Sequence, residues 1–387
     1  MPYRPIIALL VLTAFTDSLA EELLQPLIVL RLEAQGIGAS LIGMTTSAGD
    51  LGVLLTAPLV PRLIRLVRPL VYVRTSLSLI CLGILLFPLF PNVFAWILLD
   101  FALGVLTCGY FVLSDSLINA SAAERHRGRL IALYMTSEST GAILGPLLLS
   151  QVGFAGFTPF LVAMGIMAIG IAPWFAVSPV RSPDLTSEAP MPFRHVLRLA
   201  PLILVVAVAA AFFSDVPASL LPVFALEHGL TENTAILLLS VMAVGTVLFQ
   251  IPAGWAADVM DRRTLLVLLS LATVGGMVML SRVVADSVLV WPCMLLLGGL
   301  FNAFDVVALT LLGERATPGR LAQLSAATTM VASLAGFVGP PATGLAMDLA
   351  GPTAFPVALA AVAALVAIAA FADRRRGAGA SLRGGSS

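Results

Sequence analysis

Nine acidic residues lie inside apolar stretches of this 387-residue chain, and no basic residue lies among them. They are Asp17, Glu21, Glu22, Asp50, Asp100, Asp115, Glu138, Asp215 and Asp305. A charged side chain at the centre of a bilayer costs about 2.5–3.5 kcal/mol on insertion scales, and such a group usually faces a water-filled path or a proton relay. These residues therefore predict an interior that holds protons or cations.

The spacing of the first acids favours proton chemistry. Asp17 and Glu21 are four residues apart, so they would share one helix face, with Glu22 rotated away from it. Two carboxylates held this close, away from bulk water, should not both ionise at neutral pH. We expect Asp17, Glu21 and Asp215 to be the strongest coupling candidates, followed by Glu138. In the alternative interpretation, several of the acids only accept hydrogen bonds from neighbouring hydroxyl groups.

The composition places these acids in a polytopic membrane protein. Apolar residues make up 59% of the chain, charged residues make up 11%, and the mean hydropathy is +1.03. A membrane-spanning helix needs about 20 apolar residues. The chain offers twelve such stretches, at roughly 6–30, 40–60, 69–89, 93–119, 128–150, 157–177, 200–225, 233–253, 264–281, 287–313, 321–345 and 352–372. We therefore predict an all-α fold of twelve transmembrane helices.

The basic residues predict the orientation of these helices. All 21 are arginine, and with a cytoplasmic N-terminus 19 of them fall on the cytoplasmic side. Only Arg31 and Arg282 fall outside. The positive-inside rule then places both termini in the cytoplasm.

The chain divides into two halves that resemble each other. Residues 178–198 have the composition of a cytoplasmic linker between bundles at 1–177 and 199–373, and residues 374–387 that of a disordered cytoplasmic tail. Asp115 recurs as Asp305, and the Gly-Pro motif at 141–146 recurs at 336–340. Two parallel six-helix repeats with a binding site near the midplane are an architecture typical of secondary transporters.

Two motifs carry a family resemblance. Gly254, Asp258, Arg262 and Arg263 follow the spacing of the signature loop of the major facilitator superfamily, which forms a cytoplasmic gate. The matching first-half loop at 61–68 keeps the arginines but lacks the glycine and the aspartate. A second set resembles the antiporter motif of proton-driven exporters, although small residues at this spacing also serve close helix packing. It comprises Gly141, Gly145 and Pro146.

The resemblance implies two pseudo-symmetric six-helix bundles around a central cavity, with alternating access driven by a proton gradient. In that family the first, fourth, seventh and tenth spans line the cavity. Seven of the nine acids lie on those spans, which adds Asp115 and Asp305 to the candidates and leaves Asp50 and Glu138 elsewhere. Asp100 stands where the family usually has an arginine, so the usual relay is not expected.

These observations favour one function over others. Without a basic residue in the membrane an anion would find no counter-charge, so we expect proton-coupled efflux of a cationic or neutral organic molecule. Proton-coupled uptake of a small metabolite or cation is the alternative. A non-transporting receptor and an intramembrane enzyme fit less well. The expected partners are a small-molecule substrate, protons and the lipids of a bacterial inner membrane, for a monomer with no nucleic acid, cofactor or metal.

Overall fold

A computed structural model describes residues 4–60, 67, 69–121, 124–176, 201–285, 288–315 and 321–384. Side chains are described over 8–60, 67, 70–114, 130–176, 201–285, 288–313 and 327–374. The predicted linker at 178–198, the loop at 61–66 and the side chain of Asp115 lie outside these ranges.

The described part of the chain folds into twelve α-helices. In order, α1 to α12 are Arg4–Glu33, Ala39–Thr56, Pro69–Leu89, Val93–Ser121, Glu124–Val152, Thr158–Ile171 with a 3₁₀ turn over Ala172–Ala176, Pro201–Glu227, Glu232–Val259, Arg262–Val283, Val290–Arg315, Leu321–Ala350 and Ala354–Gly384. A helix satisfies every backbone polar group within one segment, as lipid requires. The predicted twelve-helix fold is confirmed, and α12 continues to Gly384, past the predicted start of the tail.

Nine of the described helices are long and apolar enough to cross a membrane by length and composition. The other three are α1, α2 and α5, which carry acids, hydroxyl residues and glycines. These helices contact one another or the opposite half of the molecule.

The two bundles, α1–α6 and α7–α12, repeat one set of helix pairings. In the first bundle α1 packs on α5 and α6, α2 on α4, and α3 on α4 and α6. In the second, α7 packs on α11 and α12, α8 on α10, and α9 on α10 and α12. The echoes in the sequence thus correspond to equivalent places in two similar bundles.

Matching glycine turns end the first helix of each bundle. Gly36 after α1 and Gly229 after α7 have φ of 72° and 82°, which glycine adopts without a steric penalty. Past each glycine the chain closes back on the helix, with Ile37 N–H donating to the Leu32 carbonyl and the Leu230 N–H to a carbonyl of α7, both at 3.1 Å. This is the hydrogen-bond pattern of a helix C-cap.

The two halves are joined at one end of the molecule, where α2 begins and α11 ends. The carboxylate of Asp348 on α11 accepts hydrogen bonds from the backbone N–H of Ala39 at 2.7 Å and of Ser40 at 3.0 Å. The Ser40 hydroxyl donates to the same carboxylate. The residue before α2, Gly38, has no capping side chain, so an acid of the opposite half caps this helix. We refer to this end of the molecule as the Asp348 end.

Candidate functional site

The central cavity lies between the two bundles and has a volume of about 430 Å³. It receives residues from α1, α2, α3, α4, α6, α7, α8 and α11. None of the described residues that line it is basic. The acids that line it are Asp17, Glu21, Glu22, Asp50, Asp100 and Asp215.

Asp17 is a buried acid at the edge of the central cavity. Its side chain is only 7% exposed, yet it lines the central cavity. The nearby hydroxyl groups do not donate a hydrogen bond to it, because that of Thr13 donates to the Leu9 carbonyl at 2.8 Å and that of Thr16 to the Leu12 carbonyl at 3.1 Å. Within the described residues no hydrogen bond or ion pair reaches this carboxylate. A buried carboxylate without a partner is costly when ionised, so Asp17 is a group that would hold a proton.

Asp100 lines the same cavity but is held differently. Its carboxylate is 5% exposed and accepts a hydrogen bond of 2.7 Å from the backbone N–H of Gly49 on α2. This contact ties α4 to α2 where their backbones approach closely, since Gly104 of α4 lies against Gly49. Asp100 therefore has a structural function as well as a place in the cavity wall.

Asp50 and Asp215 come from opposite halves and meet at one glycine of α11. A Cβ atom placed on Gly336 would lie 2.6 Å from an oxygen of Asp215 and 2.8 Å from one of Asp50. The absence of a side chain at this position lets both carboxylates approach α11. The expectation that Asp50 would lie away from the cavity was wrong, because α2 reaches the cavity beside α1 and α7.

The Gly-Pro motif of α5 lies directly against the acidic segment of α1. A Cβ on Gly141 would lie 2.8 Å from the side chain of Ser18, and a Cβ on Gly145 would lie 2.7 Å from that of Glu22. The Ser18 hydroxyl also donates to the Glu138 carbonyl at 2.8 Å. The motif thus sets how closely α5 approaches the helix that carries three of the cavity acids.

Two further cavities adjoin the central one. The side chamber, between α5, α7, α8 and α10 with Glu22 of α1 in its wall, has a volume of about 260 Å³. The end cavity, of about 340 Å³, extends from Asp50 and Asp215 toward Ile203 and Leu312, away from the Asp348 end. Asp305 lines both of these cavities rather than the central one. Glu138 lines none of the three.

The gate motif lies where α8 ends and α9 begins. Asp258 is exposed, and within the described residues no hydrogen bond or ion pair reaches its side chain. Asp261 caps α9 by accepting from the backbone N–H of Thr264 at 3.0 Å and from its hydroxyl at 2.9 Å. Partial burial raises the pKa of Asp261, but these hydrogen bonds and the charge of Arg263 lower it, and the net pKa is below its usual value.

Arg263 forms an ion pair of 2.8 Å with Asp373 on α12, within its own half. Gly254 has open space around its α carbon, so close helix approach does not explain that glycine. The sequence does not indicate Asp373 or Asp348 as partners. Each lies more than 100 residues from the group it meets, and no local pattern indicates such a pairing.

Comparison with known proteins gives the family. The sequence model of the Major Facilitator Superfamily matches residues 10–231 and 203–386. The chain belongs to this superfamily. It is therefore a membrane transporter, not an enzyme.

Individual relatives agree with this assignment. The uncharacterized MFS-type transporter YfkF of Bacillus subtilis (strain 168) is 23% identical over 273 residues, which is 68% of each chain. An alanine mutant of the nucleoside transporter NupG has the same fold, with a TM-score of 0.80 and 11% identity over 94% of this chain and 98% of that one. The structure of the Escherichia coli fucose:proton symporter FucP has a TM-score of 0.61 and 17% sequence identity, over 96% of this chain and 98% of that one.

Proposed function

We propose that this superfamily member exports a cationic or neutral organic molecule in exchange for protons. The observation that carries the proposal is the carboxylate of Asp17, which has no partner among the described residues and lies in a cavity lined by five other acids. A cation can replace protons in such a cavity without a change in its net charge. An anion would meet repulsion and no basic group among the described lining residues.

In the proposed cycle Asp17 and Glu21 hold the exchanged protons, and Asp215 and Asp50 carry the second carboxyl pair. Charged substrate and protons exclude one another, because like charges in a cavity of low dielectric repel strongly. Substrate that enters from the cytoplasm displaces protons from the acids. Protons that enter from outside displace the substrate, and the net reaction is release of the substrate outside and of protons inside.

The Arg distribution gives the proposed orientation. Among the described residues, Arg31 and Arg282 lie in the last turns of α1 and α9, which are both at the Asp348 end. We place this end outside the cell and both termini in the cytoplasm, for a monomer in a bacterial inner membrane. Bundles at 1–177 and 199–373 would then be joined by a cytoplasmic linker at 178–198. The end cavity would then face the cytoplasm, and the described conformation would be inward-facing.

The loop between α8 and α9 is proposed as the cytoplasmic gate. Asp258 is exposed and within the described residues has no partner in this conformation. When the cytoplasmic ends close, it would meet the neighbouring half. Its replacement should change the balance of open and closed states and leave the substrate site intact.

Two steps test the proposal. A thermal-shift panel of organic cations, neutral drugs and metabolites on the purified protein finds a ligand, because a ligand at about 100 times its Kd stabilises by about 2.7 kcal/mol. Proteoliposomes with an imposed pH gradient then show whether that ligand moves against the protons. Transport that ignores the gradient would overturn proton coupling. Movement of the ligand with the protons would establish uptake, the alternative, in place of exchange.

A further inference from the structure

The side chamber differs in chemistry from the central cavity that it adjoins. Its wall includes the rings of Phe213 and Phe301 and the side chains of Met242 and Leu239. The two cavities share Glu22, so one carboxylate faces both of them. The chamber is thus a mainly apolar recess that opens next to the acids of the transport site.

One wall of the chamber carries two parallel phenyl rings, of which Phe301 is 7% exposed and Phe213 only 1%. The centroids of Phe213 and Phe301 are 4.9 Å apart, and the ring planes differ by 3°. Behind them Phe304 packs on Phe213 with a centroid distance of 4.8 Å, and it is fully buried outside the chamber wall. Phe213 therefore lies buried between Phe301 and Phe304, and it holds Phe301 in place as a rigid surface for a flat apolar group.

Polar groups of the chamber restrict which ligand groups can lie beside the phenyl rings. The Asn302 amide donates to the Thr246 carbonyl at 3.4 Å, which leaves its own carbonyl oxygen available as an acceptor. The Thr246 hydroxyl is directed to the backbone carbonyls of Met242 and Gly298, each at 3.3 Å. Glu22 and Asp305 supply carboxyl groups, and none of the described lining residues is basic.

We propose that the side chamber is the subsite for the organic body of the substrate, and that the substrate is a flat aromatic monocation. Its rings would lie against Phe301, and its charge would lie toward Glu22. A volume of about 260 Å³ is just below the usual range of about 300–1,000 Å³ for ligand pockets, which favours a body of one or two rings. The assignment rests on the proposed cation exchange, because it adds a second contact to the same cargo.

Equilibrium binding to the full-length protein in lipid nanodiscs tests the subsite. The probes are N-methyl-4-phenylpyridinium, the compact cation choline, and neutral 4-phenylpyridine. Wild-type protein should bind the phenylpyridinium about tenfold or more tightly than choline, because only the former contacts the rings. Glu22→Gln should weaken both cations and leave the neutral ring compound unchanged.

The matched variants are Phe301→Leu, which alters the chamber wall, and Phe304→Leu, which alters the core behind it. Phe301→Leu should remove most of the preference for the phenylpyridinium, and Phe304→Leu should keep it. Ala243→Phe fills the chamber without removing a core ring, so it should block the phenylpyridinium and leave choline binding intact. Wild-type protein that binds neither cation, or equal effects of the two Phe variants, would overturn the assignment.

Proton release separates this inference from the proposed function. If phenylpyridinium binding follows the predicted pattern but releases no protons, the subsite stands and proton exchange does not. If an organic cation releases protons and its binding is insensitive to Phe301→Leu and Ala243→Phe, proton exchange stands and the subsite is wrong.

Discussion

At the scale of single residues, the cavity acids differ in how each carboxylate is held. Asp100 accepts a backbone hydrogen bond from Gly49, whereas within the described residues Asp17 accepts none. The sequence predicts that acids gather in the interior, because their placement in apolar stretches is visible without a structure. It does not predict which acid has a partner, since Gly49 and Asp100 meet only when α2 and α4 pack.

Asp17→Asn should abolish gradient-driven transport without unfolding the protein. The amide has nearly the shape of the carboxyl group but cannot release a proton. Transport in proteoliposomes should fall to the level of empty vesicles, and the melting temperature should stay within about 2–4 °C of wild type. Glu232→Gln, at a half-buried position in the first turn of α8 and outside the three cavities, is the control. Full proton-driven transport by the Asp17 variant would show that Asp17 takes no part in proton coupling.

Asp100→Ala should instead lower stability. It leaves the Gly49 N–H without its acceptor, at a cost of about 1–3 kcal/mol. Asp100→Asn should cost less, because the amide oxygen still accepts this bond. Thermal unfolding in detergent, followed by the fluorescence of the native tryptophans, measures the difference. Equal melting temperatures for the Ala variant and wild type would show that the bond does not stabilise the fold.

At the scale of helices, close approach between α1 and α5 depends on small residues. The sequence shows the Gly-Pro motif and its repeat in α11. It does not decide whether the motif has a function specific to exporters or serves close helix packing alone. In the structure Gly141 and Gly145 lie on the segment of α1 that carries the acids, and Gly336 lies on Asp50 and Asp215. Which helix each motif would meet could not be read from the sequence, because the contacts join distant segments.

Gly145→Ala should destabilise the protein by about 1–3 kcal/mol, the usual cost of forcing an extra methyl into a packed interior. Its Cβ would lie 2.7 Å from the Cβ of Glu22. Gly165→Ala on α6 is the matched control, since nothing lies near that position and alanine favours a helix. Chemical denaturation of both variants should show a loss of stability for Gly145→Ala alone. Equal stabilities would mean that α1 and α5 do not need this close contact.

Asp348→Asn should open the Asp348 end. The amide keeps one acceptor oxygen but loses the charge that favours the start of α2, and a loss of about 1–2 kcal/mol changes a two-state ratio by about 5–30-fold. Spin labels at Gln35 and Thr353, exposed residues of opposite halves at this end, report the opening by pulsed electron resonance. Glu33→Gln at the same end should leave the distances unchanged. An unchanged distribution in the Asp348 variant would show that this cap does not hold the halves together.

At the scale of the whole molecule, the two-bundle architecture follows from features that are local in the sequence. The apolar runs and the motifs that recur in the second half predict two similar bundles of six helices, and the repeated helix pairings agree with this. The position of Asp50 in the cavity and the cap of α2 by Asp348 depend on how one bundle faces the other. That relation is a property of the interface between the bundles, which hydropathy and spacing do not encode.

We expect proton occupancy of the cavity acids to decide which end of the transporter is open. Asp50 and Asp215 meet at Gly336, so loss of their protons places like charges on opposite halves. Repulsion between them should separate α2 from α7 and α11, which opens the Asp348 end as the pH rises. Protonation should close it again.

The most direct test is the Gln35–Thr353 distance, measured by pulsed electron resonance in nanodiscs at about pH 5 and about pH 8, a range in which buried carboxyl groups titrate. Labelling requires a background in which the three native cysteines are replaced. We expect the long-distance population of wild-type protein to grow at the higher pH. The double variant Asp50→Asn with Asp215→Asn should give the short distance at both pH values. Identical wild-type distributions at the two pH values, or an undiminished response in the double variant, would contradict the account.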